Sequence, residues 1–288
     1  MKNLFYTIIL LSFCACAKYE TRFEGPYTDP TTATKVLASR TVLFVEDGII
    51  KWTDVFLKKA EKVIVKDAAF TARASASNLK IAYSKVSDGS VVVVDSSGAN
   101  PQIVPGSAGA NCFFWHNNDK TLCFVNTNLQ LKTFGPAVTL EITDLSKFIP
   151  GLNVADVIGM EMLPDGRLIG LFKTTLGFQE YHYISVRETG GYNRLLPDNL
   201  HPEWLRVSKG TKPTVFYGHV FYTTPRSYES VLFESGVSSS PIKLTDSRWT
   251  VPNPIGNSQE VMSIYNNKLY INSFSIPVDA QKVTSLDW

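Results

Sequence analysis

Four histidines, His116, His182, His201 and His219, stand in a chain of 288 residues, and none falls at metal-ligand spacing from another histidine, a cysteine or a carboxylate. His-Glu-x-x-His is absent, and so is Cys-x-x-Cys beyond the N-terminal segment, so no metal is expected. Gly-x-Ser-x-Gly is also missing, which removes the nucleophile signature of an α/β-hydrolase. No Gly-rich loop of the phosphate-cradling or dinucleotide type occurs, so no cofactor is expected either, and no catalytic residue is assigned. His116 and His219 fall in or beside turn-forming stretches, where surface roles are expected. Carboxylates are harder to judge, because a glycosidase needs only two or three of them brought within reach by the fold. Glu161 and Glu180 are candidates of that kind, and equally well strand-end surface charges. A second set pairs aromatic residues with cations: Lys132 with Phe134, Lys173 with Phe178, His201 with Trp204, Arg226 with Tyr228, and Arg248 with Trp249. Such pairs suit a sugar face, a peptide or a protein hot spot, and each alone also suits packing between structural repeats.

The elements that must position these residues repeat along the chain. Residues 74–83 (ASASNLKIAY), 115–124 (WHNNDKTLCF) and 162–171 (MLPDGRLIGL) align without gaps. Each has an apolar or small entry residue, four turn formers, two mostly polar positions and an apolar run of strand length. Asn, Asp and Gly supply the left-handed conformation that tight hairpins need. Weaker copies occur at Phe44–Ile50, Phe216–Tyr222 and Ile264–Ile271. The turn markers Gly48, Asn78, Asp119, Gly166, Gly218 and Asn267 are 30, 41, 47, 52 and 49 residues apart. Most of these intervals suit a four-stranded propeller blade. A second strand pair follows within several units, at 90–104, 181–196 and 230–244.

The unit at 74–104, SASNLKIAY leading to VVVVDSSGANPQIV, resembles a TolB-type β-propeller repeat, and Trp115 and Pro164-Asp165-Gly166 match other parts of that pattern. The motif matches concentrate in residues 66–172. The resemblance implies an all-β fold, a β-propeller, and the six turn markers give it six four-stranded blades over residues 39–288, with five or seven blades as alternatives. A strand near 39–45 would pair with one near 283–288 and close the ring. A β-sandwich is the competing architecture. The family carries no catalytic residues at the repeated positions. It implies loops on one face of a disc as the binding surface, and the aromatic–cation pairs above are expected in those loops. Gly25-Pro26-Tyr27-Thr28-Asp29-Pro30 is faintly similar to the entry segment of five-bladed glycoside hydrolases, with Asp29 at the place of their base. A Thr-rich stretch follows instead of a catalytic strand.

The N-terminus reads as an export signal. Lys2 precedes an apolar stretch, Leu4–Phe13, too short to span a bilayer and of signal-peptide length. Cys14-Ala15-Cys16-Ala17 then resembles a bacterial lipoprotein box, with Cys16 the acylated residue because Ala15 precedes it. Phe13 departs from the usual Leu. An ordinary secretory peptide cleaved near Ala15 or Ala17 is the alternative. The expected plan is a signal peptide over 1–15, a flexible tether over 16–38, and a monomeric domain held to the outer membrane of the cell envelope by its N-terminal lipid. Cys112 and Cys123 remain in that domain and flank a hairpin. Whether they pair or stay buried thiols depends on its register.

Composition limits the rest. With 44% hydrophobic and 12% aromatic residues the chain has material for a core, which excludes disorder as its main state. A net charge of +2 is too small for an electrostatic grip on nucleic acid. The expected function is non-catalytic binding or scaffolding, with a protein or glycan ligand. The alternative is a carbohydrate-active enzyme with carboxylates in the central channel. Close carboxylates at the channel mouth would mark the enzyme, and aromatics with cations would mark the binder.

Overall fold

The computed structural model describes residues 41–54, 62–65, 69–75, 77, 79–140, 142–147, 151–163, 166–176, 179–186, 192–195, 201–207, 214–221, 227–234, 242–245, 249–252, 261–271 and 274–287. The proposed leader, tether, Cys16 and Asp29 lie outside them, as do Asn78, Pro164 and Asp165.

Strands follow one another in six antiparallel sheets. The first contains β1 (Thr41–Glu46), β2 (Ile49–Asp54) and β3 (Lys62–Val65). The second contains β4 (Ala69–Ala74), β5 (Lys80–Lys85), β6 (Val91–Asp95) and β7 (Gln102–Ile103). The third has β8 (Cys112–Trp115), β9 (Leu122–Val125) and β10 (Leu131–Phe134). A single 3-10 turn, Val154–Asp156, leads into the fourth: β11 (Val157–Met162), β12 (Leu168–Leu176), β13 (Gln179–Val186) and β14 (Tyr192–Leu195). The fifth holds β15 (His201–Val207), β16 (Thr214–Phe221), β17 (Ser227–Glu234) and β18 (Ile242–Thr245). The sixth holds β19 (Trp249–Pro252), β20 (Val261–Tyr265), β21 (Lys268–Ile271) and β22 (Phe274–Pro277). Finally β23 (Val283–Asp287) returns to the first sheet and pairs with β1, as the sequence led us to expect. The strands that begin the sheets touch in series: β4 meets β23 and β8, β11 meets β8 and β15, and β19 meets β15 and β23.

The apolar runs follow from this arrangement. Side chains alternate between the two faces of a strand, so a strand with a neighbouring sheet on each side must be apolar at every position. In β6, Val92 and Val94 pack with β1 and β2 of the first sheet, while Val91 and Val93 pack with Phe113, Trp115 and Phe124 of the third. In β8, Cys112 and Phe114 turn the other way, toward Met160, Met162 and Phe172 of the fourth sheet. Val42 and Phe44 join the first sheet to the sixth through Met262, Ile264 and Leu269. The core is thus a series of layers between sheets.

Turns are where the sequence placed them in most units. Asp47-Gly48 and Asn266-Asn267 take positive φ of 54° and 76°, and of 47° and 56°, as two-residue hairpins require. Two expectations need correction. Gly218 is not in a turn but inside β16, opposite Trp204 at a register shift. A glycine amid an aromatic run marks a local irregularity there, not a reversal. The markers also differ in kind. Asp119 and Gly166 follow the first strand of their sheets, whereas Gly48 and Asn267 follow the second. That difference explains the short first interval. The third sheet departs from four strands: segment 143–145 runs beside β10, with Leu131 N–H donating to Thr143 O and Leu145 N–H to Leu129 O.

Cys112 and Cys123 are free, buried thiols. The register sets Phe114, not Cys112, opposite Cys123. The two cysteines are therefore diagonal, at a separation of roughly 7–8 Å that a disulfide does not span. Among the described residues, no helix is long and apolar enough to cross a membrane.

Candidate functional site

Four of the six first strands share one irregularity. In β4, β11, β15 and β23 the ladder to the next strand slips by one residue, leaving Phe70, Ile158, Glu203 and Thr284 without opposite partners. A bulge of this kind re-aims its extra side chain. All four bulged residues line one cavity of about 570 Å³. Three positions after each bulge comes a charge: Arg73, Glu161, Arg206 and Asp287. The same local geometry thus places two cations and two acids at corresponding points of four strands. Gly159 allows the crowding this entails, because a Cβ there would come within 3.0 Å of Leu205 Cβ on β15.

An innermost strand has one side without a ladder, and its backbone groups need other partners. Side chains supply them. Ser285 Oγ donates to Ala72 O and accepts from Ala72 N–H, Thr284 Oγ1 donates to Phe70 O, and Asp287 accepts from Ala74 N–H at 2.9 Å. Asn111 donates to Val154 O and Val157 O, and Trp115 Nε1 donates to Arg73 O at 3.2 Å.

Arg73 and Glu161 form a buried ion pair of 3.0 Å that passes from β4 to β11. Arg206 on β15 reaches β23: Nη2 donates to Leu286 O at 3.2 Å and Nη1 to Leu205 O at 2.8 Å. Among the described residues, no carboxylate is in ion-pair contact with it. Burial, then the nearby Arg73, pushes the Arg206 pKa down to about 9, against the pull of Asp287, Glu161 and Cys112. It is still cationic at neutral pH. The Nε of Arg73 and of Arg206 are buried without a hydrogen-bond partner. Cys112, also on the cavity wall, accepts from Met160 N–H, and burial raises its pKa to about 11 despite Arg73. It is therefore a protonated thiol and a poor nucleophile at neutral pH.

Of the described members of the aromatic–cation pairs, only Trp204 reaches the cavity; it is buried at 3% exposure against Val42 and Met262. The pairs were expected in loops, but Lys132 and Phe134 lie in β10, Lys173 in β12, His201 and Trp204 in β15, Tyr228 in β17 and Trp249 in β19. A spacing of two, as in Lys132 and Phe134, is itself the strand period. Lys132 is exposed, and Phe134 packs on the layer between the second and third sheets. Phe178, Arg226 and Arg248 lie outside the described residues. Among the described residues, no three His, Cys, Asp or Glu side chains gather as a metal site. Arg73, Arg206 and the bulges were not anticipated. The available signal was the charge just before the repeat's entry residue, Arg73 and Glu161 in two of the three aligned copies.

No family model and no curated protein matches this chain. Its fold is similar to a solved chain from the nidogen/laminin complex, at 10% identity and a TM-score of 0.57, covering 86% of this chain and 97% of that one. Weaker likeness extends to hydrazine synthase from Kuenenia stuttgartiensis, with a TM-score of 0.48 at 11% identity over 78% of this chain and 70% of that one. The first match shows the fold alone, a β-propeller.

Proposed function

We propose that this chain is a six-bladed β-propeller, closed by the β1–β23 pairing, that serves as a non-catalytic binding module of the bacterial envelope. In this reading residues 1–15 are removed, Cys16 carries the lipid, and residues 16–38 hold the propeller off the membrane. Six sheets in chain order, with first strands touching in series, support the blade count. The ligand is a protein or glycan, as the sequence suggested, but its seat is the axial cavity more than the aromatic–cation pairs. The observation that carries this reading is the make-up of the cavity wall. Arg73, Lys85 and Arg206 stand on it with Trp204, and Glu203 is its one carboxylate among the described residues. Glu161 is held by Arg73. A hydrolase of sugars needs two carboxylates free to act across one bond.

A glycan panel tests this directly, scored for both retention and turnover. Retention without turnover is the expected result. Turnover that disappears in Glu203→Gln or Glu161→Gln would replace the binding reading with the enzymatic one. For the anchor, Cys16→Ala should abolish acyl labelling and release the protein from membranes. If Cys14→Ala does so instead, the acylated residue is misassigned.

A further inference from the structure

The polar groups of the cavity wall fall into two classes. Asn111, Thr284 and Ser285 are engaged with backbone groups of neighbouring first strands. Arg73 and Arg206 are not fully engaged. Each is more than nine-tenths buried, and each keeps an Nε–H with no acceptor. Only three buried side-chain polar atoms lack a partner among the described residues, and two of them belong to these arginines. Leaving a charged donor unsatisfied in a dry place is costly, and such donors take acceptors where one is offered.

Charge points the same way. The four equivalent side chains balance formally, two arginines against Glu161 and Asp287. Both acids sit behind the wall, Glu161 on Arg73 and Asp287 on Ala74 N–H, and neither lines the cavity. Among the described residues the wall shows Arg73, Lys85 and Arg206 against Glu203 alone. Among the same residues Arg206 hydrogen-bonds only to carbonyl oxygens, and Arg73 repels it. At the rim, Phe70 and Val86 expose 61% and 58% of their surface, an unusual amount for such side chains beside a cavity.

We infer that the axial cavity holds that protein or glycan ligand by an oxyanion, a carboxylate or phosphate group seated at Arg206 and Arg73, with the ligand's apolar or sugar face on Phe70 and Val86. This rests on the binding reading above and names the chemistry of its ligand. Arg206 is the main anchor because, among the described residues, no carboxylate forms an ion pair with it. Arg73 contributes its free Nε–H while staying paired with Glu161. Guanidinium groups suit this task, since their planar donor sets match the oxygens of a carboxylate or phosphate.

The test is a titration of the purified full-length protein with sodium phosphate and, separately, with sodium glucuronate. Sodium chloride holds ionic strength constant, and the readouts are tryptophan emission and thermal midpoint. At least one anion should give a saturable emission change and raise the midpoint, with chloride giving neither. Response to phosphate alone identifies a phosphate-bearing ligand, and response to glucuronate alone an acidic sugar. Arg206→Gln should weaken the response at least tenfold, and Arg206→Lys should weaken it less. Flat titrations of the wild-type protein with both anions overturn the inference without any variant. An unchanged response in Arg206→Gln overturns it too. In either case, retention of a neutral glycan without turnover would leave the binding reading standing, so the two can fail separately.

Discussion

The layers between sheets and the cavity at the first strands are built from the same alternation of side chains, yet they obey opposite rules. Between the second and third sheets every position faces a neighbour: Val91, Val93, Phe113, Trp115 and Phe124 close a dry layer. At the axis the alternation is interrupted by bulges at Phe70, Ile158, Glu203 and Thr284, and charges follow at Arg73, Glu161, Arg206 and Asp287. The layers supply the apolar burial that stabilises the fold. The axis holds buried charge, which stabilises little and can lower stability. A costly feature built the same way in four strands is more informative about function than a well-packed one.

The widest gap between the two regions should appear when the dry layer is cut. Phe124 is 2% exposed, and Phe124→Ala should cost about 3–5 kcal/mol in denaturant unfolding. Anion or glycan binding by the molecules still folded should be unchanged. A parallel loss of binding affinity would mean the layer and the cavity are one cooperative site.

At the axis, Glu161→Gln leaves Arg73 buried without its carboxylate and should cost about 3 kcal/mol. The double variant Arg73→Met with Glu161→Met should regain most of that stability, because it removes both desolvation penalties, yet it should weaken anion binding. If the double variant is as unstable as the single one, the pair holds β4 to β11 by more than charge.

The contact between the first two sheets gives a smaller effect. Gly98 has φ of +82°, and a Cβ would lie 2.2 Å from Ile64 O, a backbone atom that cannot step aside. Gly98→Ala should cost about 1–3 kcal/mol through strain at the β6–β7 turn. An unchanged midpoint would show that this turn is free to move away from β3.

The layers were legible in the sequence because their rule is local. Val91–Val94 announces a strand covered on both faces, and Asp47-Gly48 announces a hairpin through positive φ. The return of β23 to β1 was legible because strands near 39–45 and 283–288 would otherwise leave open sheet edges. The cavity was not legible, because a bulge is defined by the register of two strands and leaves little trace in either one. Arg73 and Arg206 come from different sheets and meet only when the strands are stacked. Gly218 misled for a related reason: glycine marks either a reversal or a bulge, and only its cross-strand partner Trp204 decides which.

The two cysteines offer the finest comparison, since Cys112 touches both regions and Cys123 belongs to a layer alone. Burial by itself raises the Cys123 pKa to about 12, while Cys112, at about 11, feels the opposing pull of Arg73 beside the cavity. An unfolded thiol ionises near pH 9, so the folded state holds the proton that the unfolded state releases. The stability from a protonated thiol is therefore complete below about pH 9 and is lost as pH rises toward the folded value. For Cys123 the loss should approach ~1.4 kcal/mol per pH unit across that window, and it is the part of the alkaline decline that Cys123→Ala removes. Measuring the difference between the two proteins is essential, because Arg206 works in the opposite sense: its lowered pKa makes its burial less costly as pH climbs past about 9. Cys112→Ala should remove a narrower window than Cys123→Ala. Equal windows would mean that the arginine's charge does not reach the layer side of β8.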